Sequence, residues 1–173
     1  MTRILPAIGM AALTLAGCAT GSGGAGSALQ ADVRDANGRA LATARAVQQR
    51  DGLRVTVAAA GLAPGTYAVH VHAVGRCEAP VYTSAGAHWN PGGRQHGFDN
   101  PQGAHHGDLP NLVVGQTGQG SIEYVIRGAR AAGGADALMD TDGAALVVHQ
   151  NPDDYRTDPA GNAGSRIACG VFG

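Results

Sequence analysis

Apolar and polar residues alternate along most of this chain, and the alternation is that of strands rather than helices. In Leu53-Arg54-Val55-Thr56-Val57 every second residue is apolar, the signature of a strand with one buried face. Ala42–Gln49 and Leu53–Ala59 flank Asp51-Gly52, a strong hairpin signal. Ala28–Val33 runs into an Asn37-Gly38 turn, and Pro64-Gly65 precedes a strand over Tyr67–Val74. Leu112–Val114, Ile122–Arg127 and Ala144–His149 read as further strands. Two stretches break the pattern. Gly75–Asn111 is rich in Gly, Pro, Asn and His with little periodicity, and Asn151–Ser165 is a second such loop. Loops of that length are uncommon unless function or a metal orders them. No repeat and no amphipathic helix stands out, so the pattern predicts one all-β domain.

The amino terminus has a different pattern. A short basic start ending at Arg3 is followed by mostly apolar Ile4–Ala16, too short to span a bilayer as a mature helix and suited to a signal-peptide core. Leu15-Ala16-Gly17-Cys18 resembles the lipobox of bacterial lipoproteins. The expected organisation is a signal peptide over 1–17, a lipidated and flexible tether over 18–27, and a folded domain over 28–173. The protein is then exported and membrane-anchored, facing the periplasm. With Cys18 lipidated, Cys77 and Cys169 are the two cysteines left of 3, and an oxidising compartment favours a disulfide between them over two free thiols.

Composition sharpens this picture. There are 28 Gly, and only 14% of residues are charged, which suits short strands and many turns. The chain contains no Lys, so its 12 basic residues are all Arg, and the formal net charge is −1. Loss of Arg3 with the signal peptide makes the mature side chains formally −2. That balance argues against a nucleic-acid partner.

The 7 His are the candidate chemistry. His70-Val71-His72 on a strand places both imidazoles on one face. His149 ends the apolar run Leu146-Val147-Val148 and is a candidate to join them. His88, His96, His105 and Asp108 offer three imidazoles and a carboxylate, a closed tetrahedral set for structural zinc. The residues alone thus give two metals, an exported domain and one disulfide, without naming a reaction.

Read together, several segments resemble the copper/zinc superoxide dismutase family over nearly all of Ala28–Gly173. They are Gly61-Leu62-Ala63-Pro64-Gly65-Thr66, His70-Val71-His72, Ser84-Ala85-Gly86-Ala87-His88-Trp89-Asn90-Pro91 and His96-Gly97. His105-His106-Gly107-Asp108-Leu109, Leu146-Val147-Val148-His149 and Gly161–Gly170 complete the set. The resemblance implies an eight-stranded antiparallel Greek-key barrel or sandwich with two long functional loops. It implies one copper ion held by His70, His72, His88 and His149, and one zinc ion held by His88, His96, His105 and Asp108. His88 is then the bridge, and Asp153, with Asp154 as its rival, is the carboxylate that orients His70 and His96. Arg166 falls on the active-site arginine. His106 occupies a slot that is usually apolar in the family, with an exchange of roles with His105 as the alternative.

The implied activity is conversion of superoxide to dioxygen and hydrogen peroxide. Expected partners are superoxide as substrate, a membrane through the lipid, and a second copy of the chain, the oligomeric state itself staying open. A copper-buffering lipoprotein without turnover and a purely structural zinc lipoprotein are the competing readings. Pro159-Ala160 stands in a second loop shorter than that of animal members, so guidance of substrate by a Lys there does not carry over.

Overall fold

The alternating stretches become the strands of an antiparallel sheet. In a computed structural model, which describes Met1 and residues 28–173, β1 (Leu29–Arg34), β2 (Ala40–Gln48) and β3 (Gly52–Ala60) form two successive hairpins. They are followed by β4 (Gly65–Tyr67), β5 (Val69–His72), β6 (Leu112–Val114) and β7 (Gln119–Arg127). β8 (Arg130–Ala132), β9 (Ala137–Met139), β10 (Ala145–His149) and β11 (Arg166–Val171) are the remaining strands among the described residues. The signal peptide, Cys18 and the tether lie outside the described residues. Among the described residues no helix is long and apolar enough to cross a membrane.

Seven strands hydrogen-bond in the order β5-β10-β11-β1-β2-β3-β7, and β4 pairs with β6. β6 turns directly into β7, with the Gly115 N–H donating to the Gln119 carbonyl at 2.9 Å. Because β4 and β5 are separated only by Ala68, the strand order runs round in a ring. Counting β4–β5 as one strand and setting aside the short parallel pair β8–β9, eight antiparallel strands remain. β3 reaches β4 by passing β7 and β6, and β7 reaches β10 by passing β6 and β4–β5. These are Greek-key crossings, so the fold is the all-β barrel expected. The inward faces bury Val33, Leu53, Val55, Val57, Leu112, Leu146 and Phe172.

Where the structure departs from the sequence reading, hydrogen bonding explains it. Tyr67–Val74 is not one strand. At Ala68 the backbone turns away from β6, its N–H donating to the Asn151 carbonyl and its carbonyl accepting from His149 N–H, each at 2.9 Å. The corner moves the chain from pairing with β6 to pairing with β10. β8 and β9 were not foreseen, since Gly133-Gly134 interrupts a run of Ala too short to show alternation.

The first long loop, 73–111, is ordered without regular structure. It clamps β5 through one residue: Val71 N–H donates to the Gly107 carbonyl at 2.9 Å, and the Val71 carbonyl accepts from Trp89 N–H at 2.8 Å. Gly107 is required there because a Cβ would collide with the Val71 carbonyl oxygen. Trp89 and Leu109 lock the loop into the core. A second small core of Tyr82, Ala85, Ala145, Val147 and Cys169, with Cys77 against it, seals the loop onto β10 and β11.

The expected disulfide is present between Cys77 and Cys169, across 92 residues of sequence with Cα atoms 5.6 Å apart. Closing so long a loop restricts the unfolded chain by about 4–5 kcal/mol in the loop-entropy account. Replacing both cysteines by Ala should therefore lower unfolding free energy by several kcal/mol in a denaturant titration. A loss under about 1 kcal/mol would show that the bridge only decorates a loop already fixed by its core.

Candidate metal centre

The barrel brings six histidines and two aspartates to one place. β5 supplies His70 and His72, both fully buried. His149 ends β10, where the pairing with β11 shifts register between Val148 and His149. Such bulges re-aim a side chain, and here the ring joins those of β5. The first loop adds His88 opposite His72 and Asp108 opposite His70, each through an isolated antiparallel bridge. Two-residue spacing on β5 thus sets two neighbouring sites.

In the first cluster, one ring nitrogen from each of His70, His72, His88 and His149 lies within 4.8 Å of the others. Four buried ring nitrogens have no hydrogen-bond partner: Nδ1 of His70 and Nε2 of His72, His88 and His149. Leaving four such atoms unpaired is costly, unless a cation takes their lone pairs. The opposite nitrogen is fixed in each case. His72 Nδ1 pairs with the Gly86 carbonyl at 2.9 Å, His149 Nδ1 with the Gly164 carbonyl at 3.3 Å, and His70 Nε2 with Asp153 Oδ2 at 2.7 Å. Burial holds the His72 ring well below its usual pKa, and it pushes His88 down to about 4 and His149 to about 3. These rings are neutral at pH 7, the form that binds metal. An all-imidazole set suits copper.

The second cluster centres on Asp108, which is 1% exposed. Its Oδ1 faces Nδ1 of His88 and His96 at 3.0 Å and Nδ1 of His105 at 3.1 Å. His105 Nδ1 lies 3.3 Å from His88 Nδ1. Ligands bound tetrahedrally at about 2.0–2.1 Å stand about 3.3 Å apart, so this set fits zinc with no open position. The donor atoms that all lie within 4.8 Å of one another here are those of His70, His88, His96 and Asp108, without His105. His70 Nε2 is taken by Asp153 and its Nδ1 is unpartnered, whereas His105 meets Asp108 at 3.1 Å. The Asp108 Oδ2 accepts the backbone N–H groups of Gly97 at 2.9 Å and His105 at 3.0 Å. Although burial raises its pKa, the hydrogen bonds from the three rings more than reverse this and keep the carboxyl ionised.

The rival assignments separate geometrically. Asp153 is buried and reaches both clusters, through Oδ2 to His70 and through Oδ1 to His96 Nε2 at 2.9 Å. Asp154 is exposed and organises its own loop, accepting from Arg156 and Thr157 N–H and from the Thr157 hydroxyl. Burial disfavours charge on His96, yet carboxylates on both of its nitrogens hold its pKa up at about 9. His106 points elsewhere, its ring against Trp89 at 5.2 Å between centroids.

A cleft of about 300 Å³ opens on the first cluster, lined by His72, His88, His149, Arg166, Pro159 and Ala160 among others. Arg166 begins β11. Its guanidinium donates to the Tyr82 and Gly86 carbonyls, each at 2.7 Å. Gly86 thus serves Arg166 and His72 at once. Sequence reasoning missed the carbonyls of Tyr82, Gly86 and Gly164, because a backbone acceptor has no residue type to betray it. It also missed Asp158, whose Oδ1 accepts the His96 N–H at 2.7 Å.

A Greek-key barrel carrying two adjoining histidine clusters with metal-holding geometry defines the class. Residues 37–172 match the family model for copper/zinc superoxide dismutase. The chain is 38% identical over 144 residues to a Cu-Zn superoxide dismutase of Aquifex aeolicus, covering 82% of this chain and 84% of that protein. It is 38% identical to the Cu-Zn superoxide dismutase of Caulobacter vibrioides, over 81% of this chain and 82% of that protein. The crystal structure of a superoxide dismutase-like protein from Bacillus subtilis superposes with a TM-score of 0.77 at 35% identity, over 82% of this chain and 96% of that one. The chain belongs to the copper/zinc superoxide dismutase family, whose members are oxidoreductases using both metals.

Proposed function

We propose that the chain converts superoxide to dioxygen and hydrogen peroxide at a copper site joined to zinc through His88. Copper is assigned to His70 Nδ1 and to Nε2 of His72, His88 and His149. Zinc is assigned to Nδ1 of His88, His96 and His105 and to Asp108. The observation that carries this reading is the position of His88. Its Nε2 is buried and unpartnered beside the first cluster, and its Nδ1 lies 3.0 Å from Asp108 in the second. Six imidazoles and one carboxylate make seven ligands, one short of four for each of two ions unless one ring is shared.

When bound, copper supplies a one-electron couple that oxidises one superoxide and reduces another, and zinc supplies a closed cationic site that fixes the ring of His88. His88 Nε2 faces the cleft and would carry a proton for the anion only while its lone pair is not given to copper, and Nδ1, held among His96, His105 and Asp108, would keep the ring from swinging. Asp153 fixes the rings of His70 and His96, the role of partners behind metal ligands in general. Arg166 binds and orients the anion. The mature side chains are formally −2, so attraction must be local and focused by the cleft walls. Among the cleft-lining residues Arg166 is the charged one, and its fork of donors suits an oxyanion.

The setting we propose is the periplasmic face of a membrane, with Cys18 lipidated and 19–27 as tether. It is supported by the lipobox-like Leu15-Ala16-Gly17-Cys18 and by a disulfide that suits an oxidising compartment. Copper loading without turnover would favour the copper-buffering reading instead.

Two experiments test the assignment. His88→Ala should lower bound copper and zinc together, whereas His149→Ala should deplete copper and leave zinc near one per chain. Elemental analysis reads this, and loss of copper alone from His88→Ala would remove the bridge. Arg166→Glu should cut the second-order dismutation rate on the order of tenfold to a hundredfold with copper retained. The fall of wild-type rate with salt should flatten or reverse in that variant. Pulse radiolysis across ionic strengths measures both; an unchanged rate in fully metallated Arg166→Glu would move guidance to Arg94 or Arg156.

A further inference from the structure

Asp153 links the two clusters, yet it belongs to the second loop, whose residues are largely exposed from Asn151 to Pro159. Something must hold it to better precision than its own loop provides. Its carboxylate cannot do so alone, because both oxygens are already committed to rings. The backbone of Asp153 is instead gripped from the end of the first loop. Its N–H donates to Asn111 Oδ1 at 2.8 Å, and its carbonyl accepts from Asn111 Nδ2 at 3.0 Å. One side-chain amide thereby imitates a neighbouring strand, satisfying both backbone groups of a residue outside any sheet.

Asn111 is itself fixed at both ends. Its own N–H donates to the Tyr155 hydroxyl at 2.7 Å, and Tyr155 N–H returns to Asp153 Oδ1 at 2.7 Å. The three residues close a ring of hydrogen bonds. On one side Asn111 leads directly into β6. On the other, two residues separate it from Asp108, fully buried Leu109 and the stiff ring of Pro110. The Asp108–Asn111 segment therefore spaces the carboxylate of the second cluster from the carboxylate that joins both.

We infer that Asn111, with Tyr155, is a positioning residue that sets both metal sites at once by fixing Asp153. The inference rests on the proposed metal assignment. Partners behind metal ligands typically contribute 10–100-fold in affinity. Asn111 acts one bond further out, so Asn111→Ala should weaken copper and zinc alike by about the lower end of that range.

The test uses full-length protein loaded with both metals, with affinities from chelator competition and copper(II) electron paramagnetic resonance as a second readout. Asp153→Asn should weaken both metals by about 10–100-fold. Asn111→Ala should weaken both by about tenfold and alter the copper spectrum. The double variant should match Asp153→Asn alone to within about twofold, because residues acting through one another are not additive. Asn111→Asp turns a carboxylate oxygen toward the Asp153 carbonyl in place of the donor, so it should weaken both metals at least as much as Asn111→Ala. Tyr155→Phe removes one oxygen and carries the test if Asn111→Ala does not fold. Unchanged affinities and spectrum in folded Asn111→Ala, or losses that multiply in the double variant, overturn the inference while leaving the metal assignment intact. Unchanged metal binding in Asp153→Asn removes the role of Asp153 and the inference with it.

Discussion

Two carboxylates buried among six imidazoles are the constraint on which this structure turns. Asp108 and Asp153 are 1% and 5% exposed, and an ionised carboxylate out of water must be paired and hydrogen-bonded. Asp108 answers this with three ring nitrogens on one oxygen and two backbone N–H groups on the other. Asp153 answers it with His70, His96 and Tyr155 N–H. The carboxylates fix which nitrogen of each neighbouring ring faces inward. For His70 and His88 the opposite nitrogen is one of those left without a partner, and the Gly86 and Gly164 carbonyls do the same for His72 and His149, so acids and backbone carbonyls together leave four lone pairs facing one another.

The rest of the chain supplies a frame stiff enough to hold that arrangement. β5 provides two rings on one face, and a register shift before His149 brings a third from β10. The first loop is anchored independently of any ion, by the backbone clamp on Val71, by Trp89 and Leu109 in the core, and by the Cys77–Cys169 bridge. The bridge has a further consequence. It pins the loop beside β11, where the Tyr82 and Gly86 carbonyls hold the Arg166 guanidinium in the cleft. Gly86 also holds His72, so the positions of the Arg166 guanidinium and of the His72 ring share one carbonyl.

Much of this was legible in the residues. Alternation gave the hairpins of β1–β3, because one buried face and a Gly turn leave a period of two. His70-Val71-His72 announced a same-face pair, and His88, His96 and His105 were expected beside Asp108, where their ring nitrogens lie at 3.0–3.1 Å. What escaped had no residue-type signal. The corner at Ala68 depends on which strand accepts its neighbours' N–H groups, and β8–β9 on a parallel pairing of three-residue segments. In the sequence Asp153 is preferred to Asp154 on the resemblance alone, and burial separates the two in the structure. Asn111 and Tyr155 look like ordinary loop residues until their side chains are seen on the backbone of Asp153. The loop order was expected from metal, whereas protein contacts also contribute to it.

The central claim is that one imidazole, that of His88, belongs to both sites. Crystallography of the fully loaded protein with anomalous data at the copper and zinc absorption edges tests it most directly. The account predicts copper on His88 Nε2 and zinc on His88 Nδ1, about 6 Å apart given metal–nitrogen bonds near 2.0 Å on either side of the ring. A single ion per chain, or two ions whose ligand sets do not share His88, would contradict it.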